Sequence, residues 1–236
     1  MLEGVRAAVR RRLARRLRVP EIPVALANLK DQGYLPDTIF DVGAYHGEFA
    51  RECLKLWPDA RIACFEPLPH VLPVLDALAA RHREIAVHGV MLGASEAEAV
   101  TLNCAETASS ALREHHQSHP TMRCRQTTVD AVVAQYYGGQ SPDLLKIDVQ
   151  GYELEVLKGA EHALAGIGVV LAELNFIDIH RGAPLMADVV AWLAQRRFTA
   201  FDFCGMWRRP LDNALWQADL MFVPADSPLR ADKRWA

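Results

Sequence analysis

No apolar run in this 236-residue sequence approaches the ~18 residues of a membrane span, so no spanning helix is expected. Charge of one sign is not in excess either. Lys and Arg number 26 against 29 Asp and Glu, a formal net charge of −3, which leaves no electrostatic footprint for nucleic acid. The five cysteines (Cys53, Cys64, Cys104, Cys124, Cys204) are odd in number and form no Cys-x-x-Cys pair. That argues against a zinc site or a disulfide framework, and for reduced thiols in a cytoplasmic protein. The first residues lack the uninterrupted apolar core of a signal peptide. Internal repeats and low-complexity linkers are absent, and so is Gly-x-Gly-x-x-Gly, which speaks against a dinucleotide site.

What is present centres on Thr38 to Gly47. Ile39, Phe40 and Val42 read as a short buried strand, Gly43 and Gly47 as a glycine turn, and Phe49 to Leu56 as a helix. Strand, glycine turn and helix N-terminus are how α/β sheets bring backbone N–H groups to a nucleotide-like ligand. Asp41 ends the strand. Arg61 to Phe65 is a second strand closed by Glu66-Pro67, and Glu66 lies 25 positions after Asp41. An acidic residue at that place suits two ribose hydroxyls, because one carboxylate accepts two parallel hydrogen bonds from a vicinal diol.

The remaining chain alternates strands and helices. Residues 1–19 carry seven arginines with Leu and Val at helical spacing, an amphipathic helix that packs on the domain or, alternatively, touches an anionic membrane through residues 1–18. A short helix from Val24 to Gln32 completes an N-terminal extension, 1–32, before a domain over 33–225 and a tail over 226–236. Further helices are expected over 68–83, from Thr127 to about Tyr137, over 152–164 and over 185–195. Further strands are expected at Ile85–Leu92, Val100–Cys104, Asp143–Asp148, Gly168–Leu174, Phe198–Phe203 and Asp219–Val223. Ala105 to Arg125 reads as a polar loop that covers the ligand. Its His115, His116 and His119 lack a supporting carboxylate at zinc-site spacing. The alternation predicts an open, largely parallel sheet with helices on both faces.

Asp41-Val-Gly-Ala-x-x-Gly47, Phe65-Glu66-Pro67, Leu144 to Ala160 and the strand bearing Glu173 together resemble the FkbM-type methyltransferases, with Lys146–Ala160 the most specific part. The resemblance spans residues 33–223. It implies a class I methyltransferase fold, Rossmann-like, with seven strands, the last antiparallel. It also implies S-adenosylmethionine (SAM) as cofactor and a hydroxyl on a sugar, glycan or natural-product precursor as methyl acceptor. On that footing Asp41, Gly43, Ala44, Tyr45, Gly47, Glu66, Pro67 and Asp148 hold SAM, with Met91 and Ser110 near the adenine.

An acceptor hydroxyl needs a base or a metal to remove its proton. Asp148, Glu173 and His180 are the candidate bases. Asp148 could equally cap the helix that follows it, and Glu173 could pair with Lys146. Asp148, Glu173 and Asn175 also form a hard-ligand set suited to Mg2+. The acceptor pocket is expected from loops 105–125, 176–184 and 204–217, with Phe176, Trp207, Trp216, Arg181, Arg208 and Arg209. Two alternatives are a SAM-binding or partner-docking subunit without catalysis, and a nicotinamide-dependent oxidoreductase on the same kind of sheet.

Overall fold

Ile39, Phe40 and Val42 do form a strand, and its position explains why it reads as an apolar run. In this computed structural model, which describes Leu17 and residues 19–235, every residue of β1 (Thr38–Val42) is buried. A strand covered on both faces loses the polar alternation of a solvent-facing one. The basic helix expected over residues 1–19 lies, apart from Leu17 and Val19, outside the described residues.

The chain continues from α1 (Ile22–Asp31) and β1 through α2 (Glu48–Leu56), β2 (Arg61–Phe65), α3 (Leu72–Ala79), β3 (Ile85–His88), β4 (Met91–Leu92), β5 (Ala97–Asn103) and β6 (Thr121–Thr127). Then come α4 (Val129–Tyr136), β7 (Leu144–Ile147), α5 (Glu153–Lys158), β8 (Val169–Asn175), α6 (Met186–Gln195), β9 (Phe198–Arg208) and β10 (Leu215–Pro224). The main sheet has the order β3-β2-β1-β7-β8-β10-β9. The first five strands are mutually parallel, and β10 runs antiparallel to both its neighbours. The expected α/β architecture, with seven strands and an antiparallel last strand, is therefore present.

Alternation along each strand sorts the core into two layers. Ile39, Leu144, Val169 and Leu171 face α1, α2 and α3; Phe40, Val42, Leu145, Ile147 and Val170 face α4, α5 and α6. The reversal of strand order beside β1 opens a crevice at the carboxyl ends of β1 and β7, where ligands bind in such sheets.

Four expectations are corrected. Residues 121–127 are strand β6, not loop, and pair antiparallel with β5 and parallel with β4 in a second, three-stranded sheet. Met122 and Cys124 alternate there with exposed Arg123 and Arg125, a period-two signal masked by the polar composition. The expected strand 85–92 divides at Gly89-Val90, so that β3 stays in the main sheet while β4 joins the small one. The expected helix 152–164 is a short α5 followed by a separate 3-10 turn at Ala163–Gly166. Finally, β9 and β10 extend into the supposed acceptor loop, so Trp207, Arg208 and Trp216 are strand residues.

Phe40 lies at the centre of the α4–α6 layer, its ring 5.2 Å from that of Phe65 and 4.9 Å from that of Tyr137. Phe40→Ala should cost about 3–5 kcal/mol of stability in urea unfolding; a loss below about 1 kcal/mol would show that this layer does not carry the fold.

Candidate functional site

The chain leaves β1 in a conformation that only glycine tolerates well. Gly43 has φ +75°, and a Cβ built on it would lie 1.8 Å from the backbone carbonyl oxygen of Asp148. The turn after β1 thus rests directly on the end of β7, with the N–H groups of Gly43 and Ala44 both donating to the Phe65 carbonyl at 3.0 and 3.1 Å. Tyr45 follows with a positive φ of 43°.

Beneath this turn lies Lys146. It is the register partner of Asp41, and alternation points both side chains into the α1–α3 layer. Its Nζ sits 3.0 Å from Asp41 Oδ1 and 3.6 Å from Asp148 Oδ2, and donates to the Gly43 carbonyl at 2.8 Å. The Asp41 contact is an ion pair without hydrogen-bond angles, and Asp41 Oδ2 has no partner at all. Burial pushes the Asp41 carboxyl up, opposed by Lys146. For Lys146, burial disfavours the ammonium, but Asp41 and Asp148 outweigh it and hold the pKa above the ordinary lysine value. Lys146 therefore stays charged. Asp41, expected to reach the amino-acid end of SAM, instead serves as the buried counter-ion of Lys146 and does not line the cavity.

Glu66 occupies the place expected of it. It follows β2, is 4% exposed, and each carboxylate oxygen accepts one backbone N–H: Oε2 from Tyr45 and Oε1 from Leu68, both at 3.0 Å. Burial raises its pKa, and the two N–H donors work against that rise. One lone pair on each oxygen remains for a ligand.

These groups border a cavity of about 530 Å³, within the range of small-ligand sites. Gly43, Ala44 and Tyr45 form one wall; Glu66, Pro67 and Met91 form another; Asp148 closes its floor beside Lys146. The expected covering segment is there too. Glu106, Thr107, Ser109 and Ala111 line the cavity, and the Tyr45 hydroxyl donates to Glu106 Oε2 at 3.2 Å. Besides Asp41, two predicted residues lie elsewhere. Gly47 starts α2 against Leu75 and Leu78. Ser110 turns away from the cavity, its hydroxyl donating to the Gln150 carbonyl at 2.7 Å, so Ser109 takes the lining position.

The other proposed bases sit further back. His180 is buried and bridges to Glu114, where backbone bonds Arg181 N to Arg113 O and His115 N to Ile179 O join two loops. Burial lowers its pKa, against the opposing pull of Glu114, and it does not line the cavity. Glu173 and Asn175 do share one face, since β8 stays regular to its end. The amide Nε2 of Gln150 donates to Asp148 Oδ1 at 3.0 Å and Glu173 Oε2 at 2.6 Å. Gln217 Nε2 donates to the same Glu173 oxygen at 2.8 Å and to Asn175 Oδ1 at 3.2 Å.

This arrangement corrects the Mg2+ reading. N–H donors occupy the space between the oxygens of Asp148, Glu173 and Asn175, and no group of three His, Cys, Asp or Glu among the described residues is arranged to hold a metal. Glu173 pairs with amides and not with Lys146. Glu153, not Asp148, caps the turn, its Oε1 accepting from Val149 and Gly151.

Sequence reasoning missed Gln150, Gln217 and Asp219. The first two are polar residues that became buried, and Asp219 was hidden at the start of an expected strand. Burial raises Asp219 from 3.8 to about 7, and its Oδ2 has no partner.

A model of the methyltransferase FkbM domain matches residues 41–200, more than half of the chain. The chain belongs to the FkbM methyltransferase family. The FkbM methyltransferase of Methylobacillus flagellatus KT has the same fold (TM-score 0.54, 18% identity), over 79% of this chain and 43% of that protein. The chain thus spans less than half the length of that relative. Magnesium protoporphyrin IX methyltransferase from Synechocystis PCC 6803, solved with bound SAM, superposes with a TM-score of 0.50 and 14% identity over 86% of this chain and 77% of the other. No curated protein matches the chain. Among the described residues, no helix is long and apolar enough to cross a membrane.

Two outcomes follow for this FkbM-family site. Lys146→Met strands the buried Asp41 charge and should cost about 3–5 kcal/mol in denaturant unfolding; an unchanged midpoint would mean that the pair is dispensable. Asp219 holds its proton more tightly folded than unfolded, so its stabilising contribution is complete below pH 3.8 and lost as pH rises through about 7. Asp219→Asn should therefore flatten the fall in melting temperature between pH 5 and 8.5, and identical slopes in both proteins would refute the burial argument.

Proposed function

We propose that the chain is a SAM-dependent O-methyltransferase that acts on a hydroxyl of a sugar, glycan or natural-product precursor, in the cytoplasm. The observation that carries this reading is Glu66, fixed by two backbone N–H groups at the cavity wall with a free lone pair on each oxygen. That geometry suits a ribose diol and leaves little freedom to be lost on binding. Gly43, Ala44 and Tyr45 would border the amino-acid end, while Met91, Leu92 and Val90 offer apolar contact to the adenine. SAM, when bound, supplies an electrophilic methyl group on a sulfonium.

The residues of the chain supply the rest. Asp148, with a side chain 37% exposed at the cavity floor, can take the proton of an acceptor hydroxyl. Gln150 orients it by donating to Oδ1. The segment 105–111 covers the cavity and limits water around the reacting groups. Proton removal at the oxygen favours hydroxyl acceptors, whose own acidity is too weak for attack at neutral pH.

Incubation with methyl-labelled SAM and a panel of glycosides and polyketide alcohols tests the function; no label in any hydroxylated product would overturn it. Glu66→Ala should weaken SAM binding by about 1.5–3 kcal/mol in calorimetry, the worth of hydrogen bonds to a charged group, with the melting curve little changed. Equal dissociation constants would remove Glu66 from the site.

A further inference from the structure

Across the carboxyl ends of β7 and β8 and the amino-terminal half of the antiparallel β10 runs a row of three carboxylates. Ile147 is in register with Ala172, which sets Asp148 beside Glu173, and Glu173 is in register with Asp219. Neighbouring strands lie ~4.8 Å apart. Alternation places all three on the face of Lys146, Leu171 and Met221. Only Asp148 lines the cavity; Glu173 and Asp219 are 8% and 4% exposed. Gln150 ties Asp148 to Glu173 through one amide nitrogen. Gln217, two residues before Asp219, ties Glu173 to Asn175.

The far end of the row is built to leave Asp219 alone. Its register partner on β9 is Gly205, where a Cβ would lie 2.5 Å from Asp219 Oδ2 and 2.4 Å from the Trp207 ring. Glycine there gives room to the carboxylate and to the indole that closes over it. Asp219 Oδ2 is left buried without a partner. A carboxylate in that state is expensive if it only fills space.

The charges around the row do not balance if every member is ionised. From β7, Lys146 contributes one ammonium, already shared with Asp41 of β1. From α5, Glu153 adds a further buried carboxyl, raised by burial to about 7. Glu48 of α2 faces Asp41. The amides from the β7–α5 turn, β8 and β10 are neutral, and β9 presents Gly205, Trp207 and the buried thiol of Cys204, which burial keeps protonated. Several carboxyls share one cation, so the ionisation of each one disfavours that of its neighbours. Burial first, and then Asp148, push both Glu173 and Asp219 upward.

Resting on the function proposed above, we propose that Asp148, Glu173 and Asp219 act as one proton-sharing unit, in which Asp148 receives the proton of the acceptor hydroxyl and Glu173 and Asp219 are positioning residues that prepare it by sharing the charge of the row. The proton balance is simple. The hydroxyl loses one proton, an Asp148 oxygen gains it, and the row becomes less negative by one charge. The proton leaves to water from Asp148, the exposed member, before the next turnover. Carboxyls raised above the ordinary range by burial and by one another move toward the pH at which a general base works best, and the midpoints of coupled groups belong to the set and not to single residues.

The test is a carboxyl 13C NMR titration of the full-length protein labelled at Asp and Glu. Asp148→Asn should lower the midpoints of both the Glu173 and the Asp219 signals by about one pH unit or more, the mark of coupled sites. Asp219→Asn should do the same to Glu173, and Glu173→Gln to Asp219, so that one poorly folding variant does not decide the matter. Single-site curves that ignore each other's removal would overturn the unit. In the labelled-SAM assay, Asp219→Asn should move the acid limb of the pH–rate profile to lower pH; lower activity with an unmoved limb would mean that Asp219 is structural only. If the wild-type protein methylates no hydroxyl, the proposed function fails, while the NMR titration still decides whether the row shares its protons.

Discussion

The site depends on one buried ammonium. Lys146 reaches from the middle of the sheet to Asp41, to the carbonyl of Gly43 and toward Asp148, and so joins β1, the glycine turn and the end of β7 at a single point. Without that charge the carboxylate of Asp41 would have no counter-ion in an apolar layer, and the turn over it would lose the donor that holds the Gly43 carbonyl. The glycine at 43 and the lysine at 146 are two halves of one arrangement: the first lets β1 and β7 touch, and the second neutralises what lies beneath the contact.

That constraint explains why the polar groups gather on one face of the sheet. The α4–α6 layer is apolar throughout, with Phe40, Leu145, Val170 and Phe222 in contact with helices. The opposite layer begins apolar and turns polar toward the carboxyl ends, where Asp148, Glu173, Asn175, Gln217 and Asp219 lie in successive registers. Amide side chains lie between Asp148 and Glu173 and donate to one oxygen of each. A buried polar layer of this kind favours one arrangement over many, since each group it leaves unpaired costs the desolvation of that group. Asp219, whose Oδ2 has no partner, is the exception, and a buried titratable group left alone beside a site is where function is to be sought.

The cover over the cavity comes from an unexpected source. The segment after β5 descends across the opening and returns through β6, so the small second sheet anchors both ends of the strap that carries Glu106, Thr107 and Ser109. Buried Asn103 holds the base of that strap, its side-chain amide donating to the carbonyls of Ser110 and Leu112. Loops that bear function are commonly held by a rigid scaffold in this way.

Much of this was legible in the chain itself. The apolar run of Ile39, Phe40 and Val42, the glycines after it and the acid at Glu66 carry their meaning locally, because strand burial, a positive φ and a carboxylate held at a strand end each need particular residue types at short spacing. The resemblance over Lys146–Ala160 was equally local. Other features have no local signature. Whether Lys146 meets Asp41 or Glu173 depends on which strands are neighbours. The turn of Ser110 away from the cavity, the amides between Asp148 and Glu173 that displaced a metal reading, and the isolation of Asp219 beside Gly205 arise from residues far apart in sequence. The sequence by itself determined most of the elements and the positions of Gly43, Glu66 and Met91 along the cavity; only the tertiary structure decided which buried charges face one another, because register across the sheet sets those distances and no single strand contains it.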